Sequence, residues 1–138
     1  MSKIAIIYFS GTGNTEAMAQ SIEEGAKSAG ADVKLFGCEE FNVEQIAEYD
    51  AFAFGCPSYG SEELEESMFA PMWDEVKGNL GDKKVVLFGS YGWGSGEWME
   101  SWKEDAKNVN VIDTYICNEA PDDEAVKACE VLGTELAK

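Results

Sequence analysis

The chain has 138 residues, of which 45% are apolar and 12% aromatic, a length and composition typical of one folded domain, so we predict a single domain over residues 1–138. It carries 27 acidic residues against ten basic ones, all of them lysine, and its formal charge is −17. Binding to nucleic acid, which needs a basic surface, is excluded, and so is chemistry that depends on a histidine base or an arginine clamp.

Short apolar runs alternate with longer stretches whose apolar residues recur every three or four positions. The runs predict strands buried on both faces, and the longer stretches predict amphipathic helices. Asn42 is a predicted helix cap, Gly30 a predicted helix end and Pro71 a predicted bend. In chain order the predicted elements are strand Ile4–Phe9, helix Asn14–Ala29, strand Val33–Phe36, short helix Val43–Tyr49, strand Ala51–Gly55, helix Leu64–Leu80, strand Val85–Gly89, helix Trp98–Ala106, strand Val111–Ile116 and a last helix opened by Pro121 and reaching Leu136.

This alternation predicts an α/β fold with a five-stranded parallel sheet, right-handed crossovers and helices on both faces. In open sheets of this kind a ligand binds beyond the carboxyl ends of the strands, where the strand order reverses. The loops that follow the first, third and fourth strands are therefore the places to search for a site.

The loop after the first strand, Ser10 to Thr15, reads SGTGNT and leads directly into a helix. Its glycines let backbone N–H groups turn inward, and the helix N-terminus adds positive partial charge, so the loop can hold a phosphate. No lysine follows the second glycine, and the third glycine of a dinucleotide fingerprint is missing. Neutral donors alone therefore hold the anion, which favours a monophosphate bound without a metal.

The loops after the third and fourth strands, 57–63 and 90–96, are rich in glycine and serine and carry aromatic residues. Trp93 stands among three glycines, which favours an indole that covers a flat ligand over one that packs in the core. Tyr59, beside Gly60, is a second candidate for a ligand face. The other three tryptophans lie in helical apolar stripes and are predicted to be core residues.

The four cysteines show no C-x-x-C pair and are predicted to be reduced, mostly buried side chains rather than ligands of a zinc or iron–sulfur site. The apolar run that follows Lys3 is too short for a signal peptide or a membrane span. We therefore expect a cytoplasmic protein with no membrane partner.

Three motifs together resemble the flavodoxin family: SGTGNT after the first strand, GCPxxGxEELEE after the third and FGSYGWGxG after the fourth. The resemblance covers essentially the whole chain and points to the short-chain class, because the fifth strand carries no long insertion. It implies the strand order 2-1-3-4-5 and non-covalent binding of FMN. It further implies a low-potential one-electron carrier that shuttles between redox proteins, tunes the quinone, semiquinone and hydroquinone states of the flavin, and has no substrate of its own.

The resemblance also assigns roles by position. The loop from Ser10 to Thr15 would hold the FMN phosphate with help from Ser58 or Ser90, and Trp93 would stack on the outer face of the flavin. Glu62 would meet the flavin N3 edge, and the Gly60–Ser61 peptide would turn its carbonyl toward flavin N5 on reduction. The full expected cofactor-binding set is Ser10, Gly11, Thr12, Gly13, Asn14, Thr15, Pro57, Ser58, Tyr59, Gly60, Ser61, Glu62, Ser90, Tyr91, Gly92, Trp93, Gly94 and Asn118.

Three positions depart from the family pattern. Tyr59 stands where the nearest relatives have Met, Ser61 where they have Asp, Asn or Gly, and Pro57 where some use a phosphate-binding Ser. The group that packs on the inner flavin face and the ease of the peptide turn therefore stay open.

Acidic residues cluster around the same loops. They are Glu62, Glu63, Glu65, Glu66, Glu97, Glu100, Glu119, Asp122, Asp123 and Glu124. Their field disfavours a reduced, anionic flavin and attracts basic surfaces of redox partners to a monomeric carrier. The alternative is a flavin-dependent NAD(P)H:quinone-type reductase on the same fold, which the missing arginine and short loops disfavour. A receiver domain is disfavoured, because its acidic pair, phosphoacceptor Asp and Lys are missing from the strand ends, and a non-catalytic FMN store is a further alternative.

Overall fold

The computed structural model describes residues 2–9, 13–58, 65, 67–92 and 96–138. Five parallel strands form one sheet in the order β2-β1-β3-β4-β5, as predicted. The strands are β1 (Lys3–Tyr8), β2 (Asp32–Gly37), β3 (Ala51–Gly55), β4 (Lys84–Tyr91) and β5 (Val111–Asn118). The chain moves outward from β1 to β2 on one side and from β3 to β5 on the other. The strand order therefore reverses between β1 and β3.

Four α-helices connect the strands: α1 (Asn14–Ser28), α2 (Phe69–Val76), α3 (Glu97–Asp105) and α4 (Asp123–Ala137). Three short 3₁₀ segments lie at Cys38–Glu40, Val43–Glu48 and Lys77–Asn79. Helix α1 is followed by Gly30 with φ +92°, a conformation that glycine adopts without steric cost, as predicted. No helix in the described part of the chain is long and apolar enough to cross a bilayer.

Two helix predictions are wrong in detail. The segment Val43–Glu48 is a 3₁₀ helix rather than an α-helix, although Asn42 caps it as predicted by accepting the N–H of Glu44 at 3.0 Å. Helix α2 begins at Phe69, so the predicted start at Leu64 is too early. Pro71 is consequently the third residue of α2, where a missing N–H breaks no intrahelical hydrogen bond, and it marks the first turn rather than a bend.

The sheet has a hydrophobic core on each face. Helices α1 and α4 cover one face, and α2 and α3 cover the other, where Trp73, Trp98 and Trp102 are buried as predicted. Helices α1 and α4 approach so closely that a Cβ at Gly133 would overlap the backbone of Ile22. These packed helices fix both sides of the carboxyl edge of the sheet.

Candidate functional site

Backbone hydrogen bonds continue beyond the strand ends along the carboxyl edge. The N–H of Phe9 donates to the carbonyl of Gly55 at 3.0 Å, and the N–H of Ser58 donates to that of Ser90 at 3.1 Å. The N–H of Glu119 donates to the carbonyl of Tyr91 at 2.7 Å. The ends of β1, β3, β4 and β5 are therefore tied to one another, so the loops predicted to bind a ligand begin from a rigid edge.

Gly13 stands immediately before α1 and has φ +93°, a left-handed conformation that glycine adopts without steric cost. Thr15, in the first turn, is 1% exposed, and its hydroxyl has no hydrogen-bond partner within the described residues. A buried hydroxyl without a partner costs about 1–3 kcal/mol. Thr15 therefore offers a donor beside the helix N-terminus, where an anion is favoured.

Ser58 and Ser90 differ in what their hydroxyls do. The Ser58 hydroxyl is buried and, in the described part of the chain, lacks a partner. The Ser90 hydroxyl donates to the carbonyl of Glu119 at 2.6 Å, which links the end of β4 to the turn after β5. Of the two serines expected to help hold a phosphate, Ser58 has the uncommitted donor.

The turn after β5 holds a non-glycine residue in the left-handed conformation. Glu119 has φ +55°, and its carbonyl accepts from the hydroxyl of Ser90 and, at 3.5 Å, from the thiol of Cys117. Asn118, the last residue of β5, is exposed beside Tyr91 of β4. This backbone conformation could not be predicted from the sequence, because glutamate is not a residue that favours it.

The end of β4 packs against the start of α3. The ring of Tyr91 lies 5.7 Å from that of Trp98, and the indole N–H of Trp98 donates to the carbonyl of Cys56 at 3.1 Å. Gly92 follows Tyr91 and is exposed. Pro57 is half-buried after β3, and its carbonyl lies 3.5 Å from the thiol of Cys56. These contacts place Pro57, Tyr91 and Gly92 at the same edge as Ser58.

Glu65 belongs to the acidic cluster found in the sequence, but its side chain is buried, which sequence reasoning missed. It is 3% exposed, and its carboxylate accepts N–H groups of Ser67, Met68 and Phe69 together with the Ser67 hydroxyl. Burial alone would raise the pKa of Glu65, but these hydrogen bonds outweigh it and lower the pKa to about 2. Glu65 therefore caps α2, which explains why that helix begins at Phe69.

The edge is strongly acidic. Exposed carboxylates surround it at the starts of α1, α3 and α4, and they include Glu16, Glu97, Glu100, Glu119, Asp122, Asp123 and Glu124. The hydroxyl of Tyr8 donates to Glu16 at 2.9 Å, and burial together with this carboxylate raises the pKa of Tyr8 to about 12. Among the described residues no group of three or more acidic, cysteine or histidine side chains could hold a metal ion.

Half of the expected site lies outside the described residues: Ser10, Gly11, Thr12, Tyr59, Gly60, Ser61, Glu62, Trp93 and Gly94. The described half is Gly13, Asn14, Thr15, Pro57, Ser58, Ser90, Tyr91, Gly92 and Asn118, and the fold brings these residues together at the carboxyl ends of β1, β3, β4 and β5. Their chemistry fits FMN, because two buried hydroxyls without partners among the described residues and a helix N-terminus can bind a phosphate, and the exposed Gly92 follows β4 at the same edge.

Comparison with known proteins identifies the family. The flavodoxin family model matches residues 6–127. The chain is 50% identical to flavodoxin of Megasphaera elsdenii over 98% of both chains. It is 39% identical to flavodoxin of Clostridium beijerinckii, over 96% of this chain and 97% of that one. A solution structure of two-electron-reduced Megasphaera elsdenii flavodoxin superimposes with a TM-score of 0.90, at 49% identity over 97% of this chain and 98% of that one.

These similarities confirm the predicted family, fold, cofactor and class of function, and they give no support to the reductase alternative. The chain therefore belongs to the flavodoxin family of FMN-binding electron carriers, which pass electrons between redox proteins and are not enzymes.

Proposed function

We propose that residues 1–138 form one FMN-binding domain that works as a low-potential one-electron carrier, with the phosphate held between the start of α1 and the end of β3. The isoalloxazine ring of bound FMN supplies the redox chemistry, and the residues of this chain hold and tune it. The proposal extends the family assignment to particular residues and to the direction in which they shift the potential.

One observation carries the proposal: Thr15, in the first turn of α1, and Ser58, just after β3, both have buried hydroxyls without partners in the described chain. A folded protein tolerates few such groups, because each costs about 1–3 kcal/mol. A phosphate would accept hydrogen bonds from both hydroxyls and from the first N–H groups of α1. We propose that Ser10, Gly11, Thr12, Gly13 and Asn14 complete this phosphate site.

The remaining expected residues hold the ring. In this proposal Trp93 covers the outer face, Tyr59 is the candidate for the inner face, and Glu62 meets the N3 edge. Gly92, Trp93 and Gly94, which follow Tyr91, offer backbone N–H groups to the pyrimidine edge. Further ring contacts come from Pro57, from the Gly60–Ser61 peptide, which turns its carbonyl to flavin N5, and from Asn118.

The charge of the chain supports a low potential. The formal charge is −17, and no arginine or histidine is present to compensate an anionic cofactor. Carboxylates around the carboxyl edge, including Glu97, Glu119 and Asp122, would repel the negative charge that a reduced flavin acquires. The last electron is therefore strongly reducing.

The same charges suggest how partners dock. Lys3 and Lys84 stand at the opposite, amino edge, where they begin β1 and β4, and Lys77 stands at the C-terminal end of α2. The acidic edge would attract basic surfaces of reductases or acceptor proteins to the end of the molecule that carries the flavin. We propose a monomeric, cytoplasmic carrier that binds neither nucleic acid nor membrane, consistent with the free cysteines Cys38, Cys56, Cys117 and Cys129.

Titration of the apoprotein with FMN, riboflavin and FAD tests the phosphate site. We expect one FMN per chain and at least about tenfold weaker binding of riboflavin, because riboflavin leaves both hydroxyls unpaired. FAD should also bind more weakly, because the site holds one phosphate. Equal affinities for FMN and riboflavin would refute the phosphate site while leaving the family assignment intact.

A further inference from the structure

The strained turn after β5 is held by contacts that come from β4. Glu119 has φ +55°, a left-handed conformation that is strained for a non-glycine residue. Its N–H donates to the Tyr91 carbonyl at 2.7 Å, and its carbonyl accepts from the Ser90 hydroxyl at 2.6 Å. Strain of this kind persists only where the surrounding structure enforces it, and it is concentrated at functional sites.

Ser90 is placed to act on this turn and not on an anion. It is 3% exposed, and its hydroxyl has one proton to donate, which the Glu119 carbonyl receives. Its own carbonyl accepts the N–H of Ser58 at 3.1 Å, so the backbone of Ser90 cannot shift without disturbing the end of β3. Ser90 therefore joins the ends of β3, β4 and β5.

We propose that Ser90 is a positioning residue that holds Glu119 in the left-handed conformation and thereby fixes Asn118 toward the flavin ring. The proposal rests on the proposed function, in which Asn118 contacts the ring. It differs from the expectation that Ser90 binds the phosphate, because Ser90 now acts through the turn at residues 118–120. The hydrogen bonds that Ser90 and Tyr91 make to Glu119 compensate the strain.

The two roles predict different results with two flavins. A residue that binds the phosphate affects the affinity for FMN but not the affinity for riboflavin, which has no phosphate. A residue that positions the turn beside the ring matters equally for both. In the apoprotein of Ser90→Ala, we expect the affinities for FMN and riboflavin to fall by the same factor, about five- to tenfold, because Glu119 then leaves the left-handed region.

A double-mutant cycle tests the link to Glu119. Glycine adopts positive φ freely, so Glu119→Gly should make the Ser90 hydroxyl less important. We expect Ser90→Ala to cost less than about twofold in affinity when Glu119 is already glycine. Glu119→Gln is the matched control, because it removes the charge and retains the strained backbone. Ser90→Ala should lower the flavin affinity as much in the Glu119→Gln background as in the parent.

Fluorescence titration of these apoproteins with FMN and riboflavin gives the dissociation constant of each flavin for each variant. If Ser90→Ala folds poorly, Glu119→Val replaces it, because a β-branched residue resists positive φ at an exposed position. Glu119→Val should lower the affinity for both flavins, and Glu119→Gly should not. A loss confined to FMN, an unchanged affinity, or an equal effect of Ser90→Ala in the glycine background would overturn the proposal. A parent protein that binds no flavin would instead refute the proposed function.

Discussion

Replacing Thr15 by valine should move the stability of the apoprotein and its affinity for FMN in opposite directions. Valine has nearly the same shape as threonine but no hydroxyl, so the buried group that lacks a partner in the described chain disappears without leaving a cavity. Removing an unpaired hydroxyl should stabilise the apoprotein by about 1 kcal/mol, which raises Tm by roughly 4 °C at this size. Thermal unfolding of the apoprotein by circular dichroism measures this gain.

The affinity for FMN should fall in the same variant. A hydrogen bond to a charged group contributes about 1.5–3 kcal/mol, so the Kd for FMN should rise roughly 10- to 150-fold. Riboflavin has no phosphate, and its Kd should stay within about twofold of the parent value. Fluorescence titration with both flavins separates the two effects.

Thr134 provides the matched control. It lies on α4, and its hydroxyl donates to the carbonyl of Glu130 at 3.1 Å, so Thr134→Val removes a satisfied hydroxyl instead of an unpaired one. This variant should gain no stability and should bind FMN like the parent. If Thr15→Val binds FMN as tightly as the parent, or loses riboflavin affinity equally, the assignment of Thr15 to the phosphate is wrong.

Three further outcomes follow from the packing and the titrating groups. Gly133→Ala should lower the free energy of unfolding by about 1–3 kcal/mol in urea titrations, because its Cβ would overlap the Ile22 carbonyl, whereas Gly78→Ala meets no atom within 4 Å and should be tolerated. The pKa of Glu65 is lowered from 4.5 to about 2, so its stabilisation is complete above pH 4.5 and is lost as the pH falls toward 2. Between pH 4.5 and pH 2 the free energy of unfolding of the parent should fall by up to about 1.4 kcal/mol per pH unit more than that of Glu65→Gln. Acid-unfolding curves that run parallel for the two proteins would contradict this. Burial raises the pKa of the Cys56 thiol to about 12, so a thiol reagent should label the partly exposed Cys117 before Cys56. Mass spectrometry measures the order of labelling, and the reverse order would refute the burial of Cys56.

The alternation of apolar runs and helical stripes was sufficient to predict the sheet and its helices. Runs such as Ala51–Gly55 are buried on both faces, so they carry a signal that needs no tertiary context. The start of α2 could not be predicted in this way. Leu64 and Met68 continue the helical period, but the buried carboxylate of Glu65 caps the chain and sets the first turn at Phe69.

The candidate site was predicted by position but not by the state of each group. The sequence placed Thr15 where a loop leads into a helix and Ser58 and Ser90 after two strands, the family resemblance assigned all three to the phosphate, and the fold brings them to one edge. Whether a hydroxyl is already paired depends on contacts between distant residues, such as the one from Ser90 to Glu119, which lies 29 residues further along. A single sequence does not encode such pairing as a local pattern. The ring-facing residues, including Trp93, stay predictions from the family motif.

The most direct test of an FMN electron carrier is a visible spectrum recorded while the FMN-loaded protein is reduced stepwise under anaerobic conditions. One flavin per chain should take up its electrons in two separate one-electron steps. The second step should occur at a lower potential than in free FMN, because the chain carries 17 net negative charges and no arginine. A protein that binds no flavin, or a bound flavin that takes both electrons in one step at the potential of free FMN, would contradict it.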